Sequence, residues 1–423
     1  MTRYGPSHRF GAGAVLLAGA LVLAACSSSA GTSGTSGAGG TAAGAAAGAG
    51  SSASAGPGSS SGSGSGSTAV SAAAGSSGAA AGSAGVDTQM ASVQKMEGVQ
   101  TEWTGPTTGP KAAANKTLVY MSGDQQNSLA KAYGDYLVAA AKTIGWKVTV
   151  IDGKGSPTGW LAGMNQAVGL HPDGIAIFAD AASLQVPIKA ATAAKIPVVG
   201  LHAAAKPGPT NGLFTNIQES AANIGKAQAD FAIADSHGAA RVVVVYHGEY
   251  QIAQIKADAM KAEIATCPGC KLLEFSNFPA SESAQRTPQL MTSWVSKYGS
   301  QPFYVLSVGD NDFDFAVPAL SAGGVPKNTV KLVGSDGTPA AYQRIRNGNY
   351  EVATVPEPSE MEAYQAVDEF NRAFAGQKDS GFVPPVYLVT KSNIDAEGGA
   401  KNLFIPSNNY VQHYESIWKT GKG

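Results

Sequence analysis

From residue 115 onward, apolar residues follow two alternating patterns along this chain. Short apolar runs rich in β-branched residues have the length of buried strands, and the longer segments between them carry apolar residues three and four positions apart, as one face of a helix does. One such face runs from Leu129 to Ile144 and ends at Gly145. Strands that alternate with helices of this length predict βαβ units and a parallel sheet covered on both faces.

The pattern forms two series that are separated near residue 216. Strands are predicted at Thr117–Met121, Lys147–Ile151, Gly174–Phe178 and Pro197–Leu201, then at Arg241–Tyr246, Lys271–Ser276, Phe303–Ser307 and Lys331–Gly334. Helices are predicted at Leu184–Ala194, Gln251–Thr266, Ser283–Tyr298 and Phe313–Ala322, in addition to the face described above. About 310 residues exceed one comfortable core, so we expect two α/β lobes.

We expect one lobe from residues 115–216 plus 358–385 and the other from 217–357 plus 386–423, with 91–114 as a lead-in. The predicted crossings between the lobes are Phe214–Asn216, Val355–Pro358 and Pro384–Leu388. The aromatic-rich segment from Asn402 to Trp418 is expected to pack on the second lobe.

The first 25 residues have the pattern of a signal segment. A basic start with Arg3 and Arg9 precedes an uncharged run, residues 11–23, which is short for a membrane span. Cys26 follows two alanines and resembles the acylated cysteine of a bacterial lipobox. An ordinary secretory signal with an incidental cysteine is the alternative. In both cases we expect the mature chain to work outside the cytoplasm.

Residues 27–86 are almost wholly Gly, Ala, Ser and Thr, without charged or aromatic residues. Such a composition predicts a flexible coil, and we expect residues 26–90 to act as a tether. The formal net charge of −1 and the lack of a basic cluster argue against nucleic acid as a partner. Contact with the membrane is expected only through the lipid on Cys26.

Lipidation of Cys26 would leave Cys267 and Cys270 as a pair in the segment Cys-Pro-Gly-Cys. In an oxidising compartment, a small structural disulfide is the simplest reading of this pair. A redox site would need the first cysteine at the start of a helix, whereas this pair follows a predicted one. A zinc site would need two further ligands, which the neighbouring sequence does not offer.

Three stretches occur in an order and spacing that resemble a known superfamily. They are Ala193–Val199, Ala316–Leu320 with Gly323–Val325, and the turn Gly334–Gly337. These stretches resemble type I periplasmic binding proteins, specifically the sugar-binding cluster of ABC-importer receptors, from residue 115 to about 392. The resemblance implies two Rossmann-like lobes with parallel sheets, joined by a three-strand hinge and closing on a ligand between them. It implies no cofactor and no metal.

The resemblance also implies ligand contacts in the second lobe. Asp336 matches the ligand aspartate, Asp310 lies at the family's Asn-Asp position, and Glu357 takes a position at the second crossing that is usually Gln or Glu. Gln254 falls near the position of a ligand arginine, close to Tyr250. The alternative for each of the three acids is that it caps a helix or braces the hinge.

In the first lobe, the candidates follow strand ends. Gln126 keeps an amide position, Asp180 follows the third strand, and His202 replaces the aspartate of an Asp-Arg pair. Asp180 could instead be a helix cap, and His202 a surface or cap residue. Trp160 and Tyr250 are possible stacking platforms, and a core position is the alternative for Trp160.

The positions at which this chain departs from the family pattern determine which class of ligand we expect. Both family arginines are missing while three acids remain, so the cleft is expected to be net negative and to disfavour anions. The stacking aromatics after the first strand are replaced by Ser128-Leu129, which makes a simple pyranose less suitable. A neutral or amine-bearing sugar, polyol, cyclitol or nucleoside-like solute is expected.

The sequence therefore predicts a monomeric, lipid-anchored receptor on the outer side of the cell membrane that delivers its solute to an ABC permease, and no enzyme. A sensor that presents its ligand to a signalling partner is one alternative. Another is a glycoside-acting enzyme that would use Asp310, Asp336 and Glu357 as acid and base. No nucleophile motif or phosphate loop favours the enzyme.

Overall fold

The computed structural model describes residues 77–422, with side chains from residue 86 onward. The predicted signal segment, Cys26 and most of the predicted tether lie outside the described residues. The first lobe and the helix before it contain α1 Ser77–Met96, β1 Thr117–Ser122, α2 Ser128–Thr143, β2 Lys147–Asp152, α3 Pro157–Gly169, β3 Gly174–Phe178, α4 Gln185–Ala193, β4 Val198–Leu201 and β5 Thr215–Ile217.

The second series of elements follows the first crossing. It comprises α5 Ala221–Asp235, β6 Arg241–Tyr246, α6 Gln251–Ala265, β7 Lys271–Asn277, α7 Ser283–Tyr298, β8 Phe303–Ser307, α8 Asn311–Ala322, β9 Val330–Asp336, α9 Pro339–Arg346, β10 Glu351–Pro356, α10 Ser359–Phe374, β11 Val389–Thr390 and α11 Tyr410–Thr420.

Two separate sheets confirm the predicted pair of α/β lobes. The first sheet has the strand order β2-β1-β3-β4-β5 and is parallel throughout. The second has the order β11-β10-β9-β8-β6-β7, in which only β11 pairs antiparallel to its neighbour. Central strands such as β6 are nearly continuous apolar runs because helices cover both of their faces.

Helix starts in the first lobe are fixed by side chains that the sequence places just before them. Asn127 accepts a hydrogen bond from the backbone N–H of Ala130 at the start of α2, and Ser156 does the same for Gly159 at the start of α3. These caps follow the carboxyl ends of β1 and β2, so each helix begins at the same edge of the sheet.

The C-terminal aromatic segment was expected to pack on the second lobe, and this prediction is wrong for its helix, α11. α11 packs in the first lobe, where Trp418 stacks on Tyr364 of α10 with 5.7 Å between ring centroids and donates a hydrogen bond to Asp368. Phe404, earlier in the same segment, does pack on the second lobe against Tyr387. The spacing of the aromatic residues predicts a buried face but cannot say which lobe offers the matching groove.

The end of the predicted tether is also different, because residues 77–90 belong to helix α1 instead of a coil. This helix packs on α5. Val93 and Met96 contact the apolar core of the second lobe, and Ser92 donates a hydrogen bond to Asp230. Alanine is the best helix former, so an alanine-rich segment can become helical once a neighbouring surface covers one side of it.

The chain leaves the first lobe just beyond β5, so the predicted crossing Phe214–Asn216 is placed too early, because Thr215 and Asn216 belong to that strand. Two further connections between the lobes exist in the described residues. The lead-in leaves α1 on the second lobe and reaches the first, where Trp103 stacks on His413 at 4.9 Å and Ala112 donates its backbone N–H to Trp418. The segment between Phe404 and α11 returns to the first lobe in the same way.

Cys267 and Cys270 form a disulfide in the turn between α6 and β7. Among the described residues, no helix combines the length and the apolar character needed to cross a membrane.

We predict that Val93→Asp lowers the free energy of unfolding by about 2 kcal/mol, because a carboxylate would enter the apolar contact between α1 and the second lobe. Met90→Asp is the matched control, since Met90 is 41% exposed on the same helix. Urea denaturation of both variants measures the difference, and an equally small effect in both would show that α1 does not dock.

Candidate functional site

A cavity of about 350 Å³ lies between the two lobes. Its lining comes from the loops and helix starts beyond the carboxyl ends of strands in both sheets, where polar groups converge in open α/β folds. The lobes touch beside it: Tyr250 of the second lobe packs on Trp160 of the first with 5.0 Å between ring centroids, and Ser128 and Asn311 are 3.2 Å apart. The lobes therefore stand closed around the cavity.

The floor of the cavity carries a buried ion cluster. The Lys256 ammonium lies 3.1 Å from a carboxylate oxygen of Glu357 and 3.7 Å from one of Asp336, and it donates a hydrogen bond to Ser335. Burial works against ionisation of Glu357, but His202 and Lys256 bring the pKa of its carboxyl below the ordinary value. The Glu357 carboxylate is therefore an acceptor that faces the cavity.

The pKa of Asp336 is shifted in the opposite direction. Burial, together with the neighbouring Glu357 and Asp310, raises the pKa of Asp336 well above the ordinary value in spite of Lys256. A protonated carboxyl both donates and accepts, so Asp336 can exchange hydrogen bonds with a hydroxyl group. Its backbone φ of +99° lies outside the usual range for a residue with a side chain, as expected of a constrained site.

His202 lies behind the floor with several polar neighbours. Its Nδ1 is 3.3 Å from Glu357, and its Nε2 is 2.9 Å from the Tyr133 hydroxyl, 2.9 Å from Glu362 and 3.8 Å from Glu219. Burial alone would lower the pKa of His202, but Glu357 and Glu362 raise it above the ordinary value. His202, Glu219 and Glu362 are also the described residues whose donor atoms are grouped closely enough to hold a metal ion.

A second charged pair forms the wall in the second lobe. His247 Nε2 lies 3.3 Å from Asp312, which also accepts a hydrogen bond from the Ser307 hydroxyl, and His247 Nδ1 donates to the carbonyl of Phe278. Burial opposes the charge on His247, but Asp312 outweighs it and the pKa of His247 rises to about 9. The imidazole is therefore charged at neutral pH.

The structure brings five of the predicted site residues to the cavity. They are Gln126, His202, Tyr250, Asp336 and Glu357. They come from both lobes, as a ligand site between lobes requires.

Three other predicted ligand contacts are placed away from the lining. Asp180 accepts a hydrogen bond from the backbone of Ser183 and thus caps a turn, which was the alternative considered for it. Trp160 is fully buried and donates to the carbonyl of Gly123, so it is a core residue beneath Tyr250. Gln254 lies half-buried on α6 and does not reach the cavity.

Asp310 was predicted to contact the ligand, but it does not line the cavity and instead stabilises a turn next to it. Its carboxylate accepts hydrogen bonds from the backbone N–H groups of Gly337 and Thr338 and from the hydroxyl of Thr354. These bonds hold the turn that presents Asp336. Asp310 is therefore a brace, the alternative that the sequence left open for each acid.

Sequence reasoning missed Lys256, a cation that lies beside the acids on the cavity floor. Ala253 and Lys256 lie three residues apart on α6 and therefore on one face, which a helical count from Tyr250 would have indicated. The aromatic surface is also present, but it comes from Phe178 and Phe315 instead of the loop after β1. Phe178 at the end of β3 and Phe315 on α8 could have been predicted as cavity residues from these positions.

A family model of the periplasmic binding protein domain matches residues 118–378. The chain belongs to this family. Two solved structures illustrate the shared fold. A myo-inositol binding protein from Caulobacter is 20% identical, with a TM-score of 0.60 over 69% of this chain and 99% of that one. An ABC sugar transporter subunit from Rhodobacter sphaeroides is 20% identical, with a TM-score of 0.58 over 66% and 99%.

A third solved structure, an ABC transporter solute binding protein from Agrobacterium vitis with bound allitol, is 20% identical. Its TM-score is 0.59 over 66% of this chain and 97% of that one. A sequence search of curated proteins found no match.

We predict that the stability contributed by the His247–Asp312 pair is lost in alkali. The pKa of His247 rises from about 6.5 in the unfolded chain to about 9 in the fold, so this contribution is complete below pH 6.5 and disappears as pH rises through 9. Between pH 6.5 and 9.5 the free energy of unfolding should fall by about 2 kcal/mol more in the native protein than in His247→Gln.

Urea denaturation at four pH values across this range measures the slope. His171→Gln serves as the control, because His171 is exposed and should leave the native slope unchanged. Equal slopes for native protein and His247→Gln would contradict the charged pair.

Proposed function

We propose that this protein is a lipid-anchored receptor outside the cytoplasm, which binds a small polyhydroxylated solute in the interlobe cavity and delivers it to an ABC importer. The observation that carries the proposal is the interlobe cavity of about 350 Å³ with acids on its floor and wall and aromatic rings beside them. This volume falls at the lower end of small-molecule sites. The periplasmic binding protein family, to which the chain belongs, consists of solute-binding partners of such importers.

The polar groups fit hydroxyl donors and acceptors. Glu357 offers charged acceptor oxygens, and the carboxyl of Asp336 can donate as well as accept. Phe178, Phe315 and Tyr250 supply flat apolar faces for the carbon skeleton of a sugar or polyol. A solute with several hydroxyl groups would satisfy both kinds of surface.

The charges favour a neutral or amine-bearing solute over an anion. Five carboxyl-bearing residues line the cavity: Asp124, Asp312, Asp314, Asp336 and Glu357. Lys256 is already bonded to Glu357 and lies near Asp336, so its charge is not free to bind an anionic ligand. The charged imidazole of His247 is likewise paired with Asp312.

Structural neighbours bind solutes of the expected class. Those proteins were solved with allitol, with myo-inositol, with L-arabinofuranose and with glycerol, and one is a galactofuranose binding protein. Polyols, cyclitols and furanoses are thus the first compounds to test on this chain. The lipid on Cys26 and the low-complexity tether would hold the receptor near its permease.

A thermal-shift screen tests the proposal. The panel contains allitol, myo-inositol, L-arabinose, galactose, glucosamine, adenosine and the anion gluconate. A neutral or amine-bearing compound should raise the melting temperature, because binding at a hundred times Kd stabilises the fold by about 2.7 kcal/mol. We predict that Asp336→Ala abolishes this shift and leaves the melting temperature without ligand within a few degrees of native.

Asp258→Ala is the matched control, since Asp258 is exposed on α6 away from the cavity. It should keep the full shift. A shift with gluconate alone would contradict the proposed ligand class, and a full shift in Asp336→Ala would contradict the proposed site.

A further inference from the structure

We propose that His202, Glu219 and Glu362 bind a divalent first-row transition-metal cation beneath the floor of the cleft. One imidazole nitrogen and two carboxylate oxygens form a donor set that such ions accept, with Mn²⁺ and Zn²⁺ as suitable probes. The metal site adjoins the solute cavity through His202, whereas Glu219 and Glu362 do not line that cavity.

The arrangement around His202 is the first observation. Its Nε2 faces three oxygens at once, at 2.9 Å to Tyr133, 2.9 Å to Glu362 and 3.8 Å to Glu219. The Tyr133 hydroxyl also donates to Glu362, so these two oxygens and the imidazole satisfy one another, and the Glu219 oxygen at 3.8 Å is left without a hydrogen bond. Two ligands that share an ion at bond lengths of about 2.0–2.2 Å lie roughly 3–4 Å apart, and the two ligand oxygens lie 2.9 Å and 3.8 Å from Nε2, close to the ends of that range.

Unpartnered buried oxygens are the second, independent observation. Glu219 Oε2 and Glu362 Oε1 have no hydrogen-bond partner among the described residues, although the two residues are 1% and 0% exposed. A buried carboxylate oxygen without a partner is costly. The unpartnered oxygen of Glu219 is the one that faces His202 Nε2, so a cation there would satisfy it.

The number of acids buried around His202 also favours a bound cation. Four carboxyl groups, those of Glu219, Asp336, Glu357 and Glu362, are buried together and interact with Lys256 or His202. The ammonium of Lys256 is engaged by Glu357 and Asp336. A divalent cation bound by Glu219 and Glu362 would take the place of protons as the counter-charge in this buried group of acids.

The fold brings the ligands together at the hinge. His202 follows β4, Glu219 lies just beyond β5 where the chain leaves the first lobe, and Glu362 is in the first turn of α10 where the chain returns. His202 also lines the cavity, which gives a cation a path to the site from the cleft. A bound ion would tie two crossings to one point below the solute.

Calorimetric titration of chelator-treated full-length protein with MnCl₂ and with ZnCl₂ tests the proposal, and elemental analysis after gel filtration gives the metal content. We expect one equivalent per chain and a rise in melting temperature. Glu219→Gln and Glu362→Gln should each weaken the affinity by at least about tenfold, because each removes a charged ligand. A Co²⁺ visible spectrum of the native protein should show nitrogen and oxygen coordination.

Glu369→Gln is the matched control. Glu369 is another buried carboxyl on α10, it accepts hydrogen bonds from Ser380, and its loss should leave metal binding unchanged. Absence of a one-equivalent binding event in the native protein would overturn the proposal without any variant. Unchanged affinity in correctly folded Glu219→Gln and Glu362→Gln would also overturn it, and the solute screen on the same samples shows separately whether the receptor function stands.

Discussion

The buried contact between Lys256 and Glu357 is the interaction on which the rest of the site depends. It joins α6 of the second lobe to the crossing before α10, with 3.1 Å between the two charged atoms. Removing two charges from water costs several kcal/mol per ion, and their attraction repays this cost only when further hydrogen bonds complete the arrangement. Ser335 and His202 supply those further contacts.

This requirement explains the states of the neighbouring groups. With one ammonium between Glu357 and Asp336, the pKa of the Glu357 carboxyl is lowered while burial raises the pKa of the Asp336 carboxyl. Asp310 then holds the turn after β9 so that Asp336 faces the cavity. The cavity therefore presents an acceptor and a donor at fixed positions, which suits a hydroxylated solute better than an anion.

Sequence patterns predicted the strands and helices well because buried parallel strands are continuous apolar runs. β3, β6, β8 and α7 have the predicted limits, for example. The lobe chosen by α11 could not be predicted, since it depends on the groove beside α10 and not on the helix itself. Helix α1 was not predicted because the start of its sequence has the composition of a flexible linker, and it joins the fold by packing on α5.

The ligand site was predicted less completely than the fold, because side-chain directions cannot be predicted from the order of strands. Residues after strand ends were found, since topology alone brings them to one edge, but whether an acid faces the cavity or the turn behind it depends on side-chain direction. Asp310 lies beyond β8 and Asp336 ends the neighbouring β9, and of the two only Asp336 lines the cavity. Lys256 was missed because the sequence pointed to Gln254 as the contact on α6, and residues two apart on a helix lie on different faces.

Isothermal titration calorimetry of the solute identified by screening, on native protein and on one variant from each lobe, tests the central claim most directly. Gln126→Ala changes the first lobe and Phe315→Ala the second, and both residues line the cavity. We predict one binding site per chain and a loss of affinity of at least about fivefold, near 1 kcal/mol, in each variant. Native affinity in both variants would contradict capture of the solute between the two lobes.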